Sequence, residues 1–157
     1  MRELSELKMN ECGKPVRRLP PTEEVINEFQ SRFRIALPEA YLQLLRYSNG
    51  GHPELDSVEP ASRSEAVRWA VNRFHFLDND RTSSGSLWAV AEKWRSILGE
   101  GSLPFASDAG GNQFFLDLKT SPARVKLCLH DENFAIVEVA PAFEAFIDRL
   151  SADPDMI

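Results

Sequence analysis

Apolar residues recur at helical spacing in the first half of the chain and alternate with polar ones in the second. Thr22, followed by Glu23 and Glu24, has the form of a helix N-terminus, since its hydroxyl can cap orphan amides and carboxylates suit the first turn. Val25, Ile26, Phe29 and Phe33 then share one face and predict a helix to about Arg34. In "IALPEAYLQLLRYSNGG", Pro38 fits a first turn, where its missing N–H costs nothing. Tyr41, Leu44 and Leu45 form the stripe of a second helix. Asn49-Gly50-Gly51 ends it as residues that adopt positive φ. Two helices thus form an N-terminal pair. Ser86 opens a third helix with Leu87, Val90, Ala91, Trp94 and Leu98 on its core face, and Gly99 stops it.

From Gln113 to Leu118 the period changes to two, with Phe114, Leu116 and Leu118 on one face. Lys119 to Pro122 is a turn, after which Val125, Leu127 and Leu129 alternate with Lys126, Cys128 and His130. Asp131-Glu132-Asn133 turns the chain again, and Phe134 to Val139 returns as a hairpin partner. Pro141 begins a last helix with Phe143, Phe146, Ile147 and Leu150 in register. Residues 52–85 are less clear. Phe74 to Leu77 reads as a strand, but 63–72 stays undecided: Val67, Trp69 and Val71 alternate, whereas Ser64-Glu65-Ala66-Val67 also suits a helix start. Turns of a few residues exclude parallel crossovers, so the expected class is α+β. Its mostly antiparallel sheet is accompanied by an N-terminal helix pair, a middle helix and a C-terminal helix.

At 157 residues, 43% apolar and 27% charged, the chain has the profile of one globular domain. Its expected parts are an N-terminal extension over 1–21, a domain over 22–151 and a tail over 152–157. No apolar run reaches the roughly 20 residues that span a bilayer. The opening MRELSELKMNECGK lacks an apolar h-region and predicts no secretory leader, which makes the cytoplasm the expected compartment. Cys12 and Cys128 give neither a disulfide framework nor a zinc spacing. The net charge of −6 argues against nucleic acid as partner and suits encounter with a basic protein. Lys14, Arg17 and Arg18 read as part of a solvated, mobile terminus.

Candidate chemistry is sparse. Asp108-Ala-Gly-Gly-Asn112 resembles an anion nest, but no Lys, Ser or Thr completes a phosphate loop, and Asp108 would repel phosphate. It reads as a turn in which glycines supply positive φ while Asp108 and Asn112 bond backbone amides. Asp78 and Asp80 with Thr82 and Ser84 hint at a calcium loop, yet the sixth position is Ser83 and the twelfth Ala89. Cys128 and His130 lie two apart on a strand with no orienting third group. His52 and His75 read as surface or packing residues. No catalytic, cofactor-binding or metal-binding set is expected. Trp69 and Trp94 suit core packing, whereas Trp88 lies off its helix's core face and suits core packing and an exposed anchor equally.

Three stretches in order, "LPEAYLQLLRYSNGG", "LPFASDAGGNQFFLDL" and "VAPAFEAFIDRL", resemble the SUKH superfamily over about residues 22–151. The superfamily includes bacterial immunity proteins and the domain of fungal cell-wall-assembly regulators. Leu37-Pro38 matches the start of its second helix and Asn49-Gly50-Gly51 the end. Leu103-Pro104-Phe105, Asp108 and Gly110-Gly111-Asn112 match its central strand and turn, and Phe143 and Phe146 its closing helix. The resemblance implies function by binding, with no cofactor and no catalytic set. The bacterial members neutralise a cognate polymorphic toxin, often a nuclease or deaminase, by covering it; the alternative is a scaffold or regulatory module with a non-toxin partner. Asp78, Asp80, Asp131 and Glu132, with Trp88, are the candidate partner-binding residues. Exchange of the four acids for neutral residues is expected to slow association with a basic toxin and flatten its salt dependence.

Overall fold

A computed structural model describes residues 1–59 and 68–152. Its first helix, α1 (Glu23–Phe33), begins where the Thr22 hydroxyl accepts the Val25 amide at 3.2 Å, and Val25, Ile26 and Phe29 are buried. Helix α2 (Glu39–Tyr47) follows Pro38, which stands at its N-cap. Leu37 is buried just ahead of it, its amide donating to Gln30 Oε1 at 2.8 Å. The end of α2 differs in part from the expectation. Gly50 and Gly51 adopt φ of 88° and 105°, but Asn49 does not enter the left-handed region. Asn49 acts through its buried side chain. Nδ2 donates to the carbonyls of Leu19 and Leu77 at 2.9 and 2.8 Å, and Oδ1 accepts the Leu77 amide at 2.8 Å. Gly51 is required twice over, since a Cβ there would lie 2.7 Å from Val16 Cγ2.

Ser57–Val58 (β1) and Trp69–Ala70 (β2) pair as a small antiparallel ribbon. The strand expected over Phe74 to Leu77 is a two-residue pairing displaced toward the N-terminus, Arg73–Phe74 (β3). The His75 amide still donates to the Phe105 carbonyl at 2.9 Å, and beyond it the chain leaves the sheet, because Phe76 pairs instead with the returning loop at Gly85 and Ser86. The alternative helix start at Ser64 to Val67 lies outside the described residues. Helix α3 (Leu87–Leu98) begins at Ser86 and ends at Gly99, whose φ is 86°. The Ser86 hydroxyl does not cap it; it donates to the Asp80 carbonyl at 2.6 Å.

The remaining strands are Ser102–Ser107 (β4), Gln113–Asp117 (β5), Arg124–Leu129 (β6) and Ala135–Ala140 (β7), followed by helix α4 (Phe143–Arg149). With β3 they form one antiparallel sheet in sequential order, β3-β4-β5-β6-β7. Pro104 adjoins a register shift in β4, as expected of a residue with no amide to give the ladder. All five residues of β5 are buried, so the alternation that placed Phe114 and Leu116 inward does not leave its other face in water. On one face Phe114 meets Phe146 of α4 at 5.6 Å, and Tyr41 of α2 meets Phe143 at 5.4 Å. The opposite face carries Gln113, Phe115 and Asp117, and Gln113 lies in a cleft beneath α3. Helix α1 supports α3 from behind through Phe29 and Trp88, 5.0 Å apart. Asp117 is buried there but paired with Lys126 at 2.8 Å and Lys119 at 3.3 Å. Burial pushes its pKa up, and these partners outweigh that and hold it below the ordinary carboxylate value.

The segment expected to be solvated and mobile is packed. Leu4–Leu7 forms a 3-10 turn with Leu7 fully buried. The Arg2 guanidinium donates to the carbonyls of Ile147 and Leu150, and Asn10 exchanges backbone bonds with His52. Arg18 lies 3.5 Å over the Phe76 ring and pairs with Asp78; Lys14 and Arg17 remain exposed. Leu7→Ala is therefore expected to cost about 3 kcal/mol in urea unfolding, more than the ~1 kcal/mol of Thr22→Ala at the α1 cap.

Candidate partner-binding surface

Three connections surround the α3-covered face of the sheet. The first, residues 75–86, is hung from Asn49 through Leu77. Within it Asp78 pairs with Arg18 and accepts the Asp80 amide at 2.8 Å, while its carbonyl accepts the Trp88 indole N–H at 3.0 Å. Asp80 accepts the Ser83 hydroxyl and the amides of Thr82 and Ser83, which hold its pKa at about 2. Both acids thus shape their own loop. Trp88, the candidate exposed anchor, is 6% exposed: it packs edge-on to Phe29, and the Arg81 guanidinium sits 3.8 Å over its ring. Of the two readings open for Trp88, packing holds, because α1 covers the side of α3 beyond its own apolar stripe.

The second connection is the β4–β5 turn. Asp108 Oδ1 accepts the amides of Gly110 and Asn112 at 2.9 and 2.8 Å, and Oδ2 accepts the Asn112 side-chain amide at 2.8 Å. Gly111 alone of the glycine pair has positive φ. This is the self-satisfied turn read from the sequence. Asn112 reaches further, since its Oδ1 accepts the His130 amide at 3.0 Å, and His130 Nε2 lies 2.6 Å from the Gly110 carbonyl. The β4–β5 turn is thereby tied to the third connection, the β6–β7 turn.

That turn carries Asp131 and Glu132, both exposed and without an ion pair among the described residues. It also carries apolar groups that the sequence reading did not single out. Phe134 is 44% and Ile136 48% exposed, and the Phe134 ring stands edge-on to Trp94 at 6.1 Å. Ile97, three residues beyond Trp94 on the same helix face, is also exposed. Alternation in the hairpin hid them, because period two cannot say which face lies beyond the covering helix. The signal available was the apolar Phe134 directly after a polar turn.

Between residues 82–84, α3 and the β4–β5 turn lies a cleft of about 380 Å³. His75 and Gln113, both buried, line it, with His75 Nε2 2.9 Å from Gln113 Oε1. His75 Nδ1 has no partner among the described residues. Burial, with a smaller contribution from the Arg73 charge, brings the imidazole down to about 4 against the opposing bond to Gln113. Cys128 is buried beside Gln113 in register, and burial pushes its thiol up. Among the described residues no group of three or more His, Cys, Asp or Glu is placed to hold a metal, and no helix is long and apolar enough to cross a membrane.

A surface of loops and exposed apolar side chains on a sheet covered from both faces defines an interaction domain. The model of the SMI1 / KNR4 family (SUKH-1) matches residues 20–149, and the chain belongs to that family. Domains of the family bind protein partners and are generally non-catalytic. No curated protein matches the chain.

His75 gives the domain a pH signature. Its pKa is 6.5 unfolded and about 4 folded, so between these values the unfolded chain binds the additional proton. The contribution of the neutral imidazole is complete above pH 6.5 and is lost as pH falls toward 4. The full loss is expected to be about 3 kcal/mol. Urea midpoints from pH 7 to pH 4 should therefore fall more steeply for the native chain than for His75→Gln.

Proposed function

We propose that this chain is an immunity protein that neutralises a cognate toxin by direct binding, using the surface formed by the β6–β7 turn, the start of β7 and α3. The observation that carries this reading is the juxtaposition of exposed Phe134 and Ile136 with the carboxylates of Asp131 and Glu132, exposed and without an ion pair among the described residues. Aromatic and aliphatic anchors beside a polar rim are the usual make-up of a binding hot spot. The family membership supports a protein partner, and the net charge of −6 favours a basic one, such as a toxin domain that acts on nucleic acid. Asp78 and Asp80 contribute by setting the loop's shape and the local potential.

A tagged pull-down from the source cells, eluted at rising salt, tests the reading. The expected result is one stoichiometric partner that kills cells when expressed without this chain. Capture of a harmless signalling or envelope protein would replace the toxin with a scaffold role. Against the captured toxin, Ile136→Asp should weaken binding by at least about 30-fold, while leaving the urea midpoint within ~0.5 kcal/mol of native. Asp131→Asn with Glu132→Gln should instead slow association and flatten its salt dependence, read by stopped-flow at several ionic strengths.

A further inference from the structure

The cleft beneath α3 has the opposite sign to the protein that contains it. The sequence holds 24 Asp and Glu against 18 Lys and Arg, and most arginines of the folded domain are paired with a carboxylate or a carbonyl. Arg73 and Lys93 both line the cleft, and neither has a carboxylate partner among the described residues. Among the described residues no Asp or Glu lines it. The acids near these cations in sequence are committed elsewhere: Glu92 to Arg32, Asp78 to Arg18, Asp80 to Thr82 and Ser83, Asp108 to its own turn.

The rest of the lining is rich in donors. Thr82, Ser84 and Ser107 supply hydroxyls, Gln113 a buried carboxamide, and Gly111 belongs to a turn stretched open at φ 92°. Gly85 holds Arg73 at the rim. It does not adopt positive φ, so what it supplies is space: a Cβ there would lie 3.1 Å from Arg73 Cζ and 3.2 Å from Nη2. The one hydrogen bond of the guanidinium among the described residues is to the Ser84 hydroxyl, at 3.4 Å. Two cations on the wall of a hydroxyl-lined recess match a planar oxyanion, which guanidinium groups bind through paired N–H bonds. At about 380 Å³ the recess has room for one side chain and the backbone next to it.

We infer that this cleft receives an acidic side chain, Asp or Glu, of the protein partner, with Arg73 and Lys93 as its counter-charges and Ser84 and Gln113 as hydrogen-bond donors. The inference rests on the protein-partner reading above and adds to it a contact of opposite polarity to Asp131 and Glu132. A partner with a basic patch and one protruding carboxylate would then fit in a single orientation, since a reversed pose sets like charges together.

The test needs no partner. Titration of the ¹⁵N-labelled full chain with acetyl-Gly-Glu-Gly-amide, at constant ionic strength, should shift the Trp94 indole N–H and the Thr82 and Gly111 amides saturably. The Gln counterpart of the peptide should leave them in place. Lys93→Gln and Arg73→Gln should each weaken the Glu peptide by roughly ten-fold, the usual worth of one charge-assisted bond, while Lys93→Arg retains it. Well-dispersed spectra of each variant establish that it is folded. Equal shifts from both peptides, or shifts that survive in Lys93→Gln and Arg73→Gln, would overturn the assignment. Saturation by inorganic phosphate with no response to the Glu peptide would overturn it in favour of a free oxyanion. Failure of the toxin reading in the pull-down is a separate result, because the peptide titration reports on the cleft alone.

Discussion

The carboxamide of Asn49, buried where α2 ends, accepts the Leu77 amide and donates to the Leu77 and Leu19 carbonyls, so that one side chain fixes three stretches of backbone at once. The Leu77 amide and carbonyl would otherwise be a buried donor and acceptor without that partner, at about 1–3 kcal/mol apiece. The geometry that follows is considerable. With Leu77 held, the loop of Asp78 to Ser86 can fold back over β3, Phe76 can pair with Gly85, and α3 starts at a defined point above the sheet. With Leu19 held, Arg18 comes to lie on Phe76 and pairs with Asp78.

The sheet converts that local constraint into a surface. Because α2 and α4 cover one face and α3 the other, β5 is buried on both sides, and the polar groups it carries must be paired inside the fold. Asp117 finds Lys126 and Lys119, and Gln113 finds His75. Burial of these pairs closes most of both faces of the sheet. Recognition is left to the connections, to the part of β7 that α3 does not reach, and to the one cleft at the edge of α3. The same buried pair of His75 and Gln113 that closes the core also forms part of the lining of the cationic cleft, so core and surface meet in one place.

Much of the helical frame was legible in the sequence because its signals are local. The Thr22 cap, the stripe of Tyr41, Leu44 and Leu45, and the stop at Gly99 each depend on residues within a turn or two. The turn at Asp108 to Asn112 was legible for the same reason. What failed was everything set by distant partners. Trp88 lies off the core stripe of its own helix, and only the arrival of α1 buries it. Asp78 read as a solvated loop charge, since nothing near it in sequence announces Arg18. Asn49 was taken for a residue of special backbone conformation, when its side chain carries the role. Phe134 and Ile136 were indistinguishable from buried strand residues until the reach of α3 was known. The N-terminal segment read as solvated and mobile because the partners of Leu7 and Arg2, around Glu54 and at Ile147 and Leu150, lie far along the chain.

That last arrangement has a consequence for the domain as a building unit. Arg2 bonds to the carbonyls of Ile147 and Leu150, so the first residues of the domain lie beside the end of α4. A domain whose ends adjoin can be spliced into a loop of a host protein, or permuted by joining old termini through a short linker, with little strain on its interior. Modularity of this kind comes from a handful of hydrogen bonds at the seam, and it makes the fold portable between chains of quite different length.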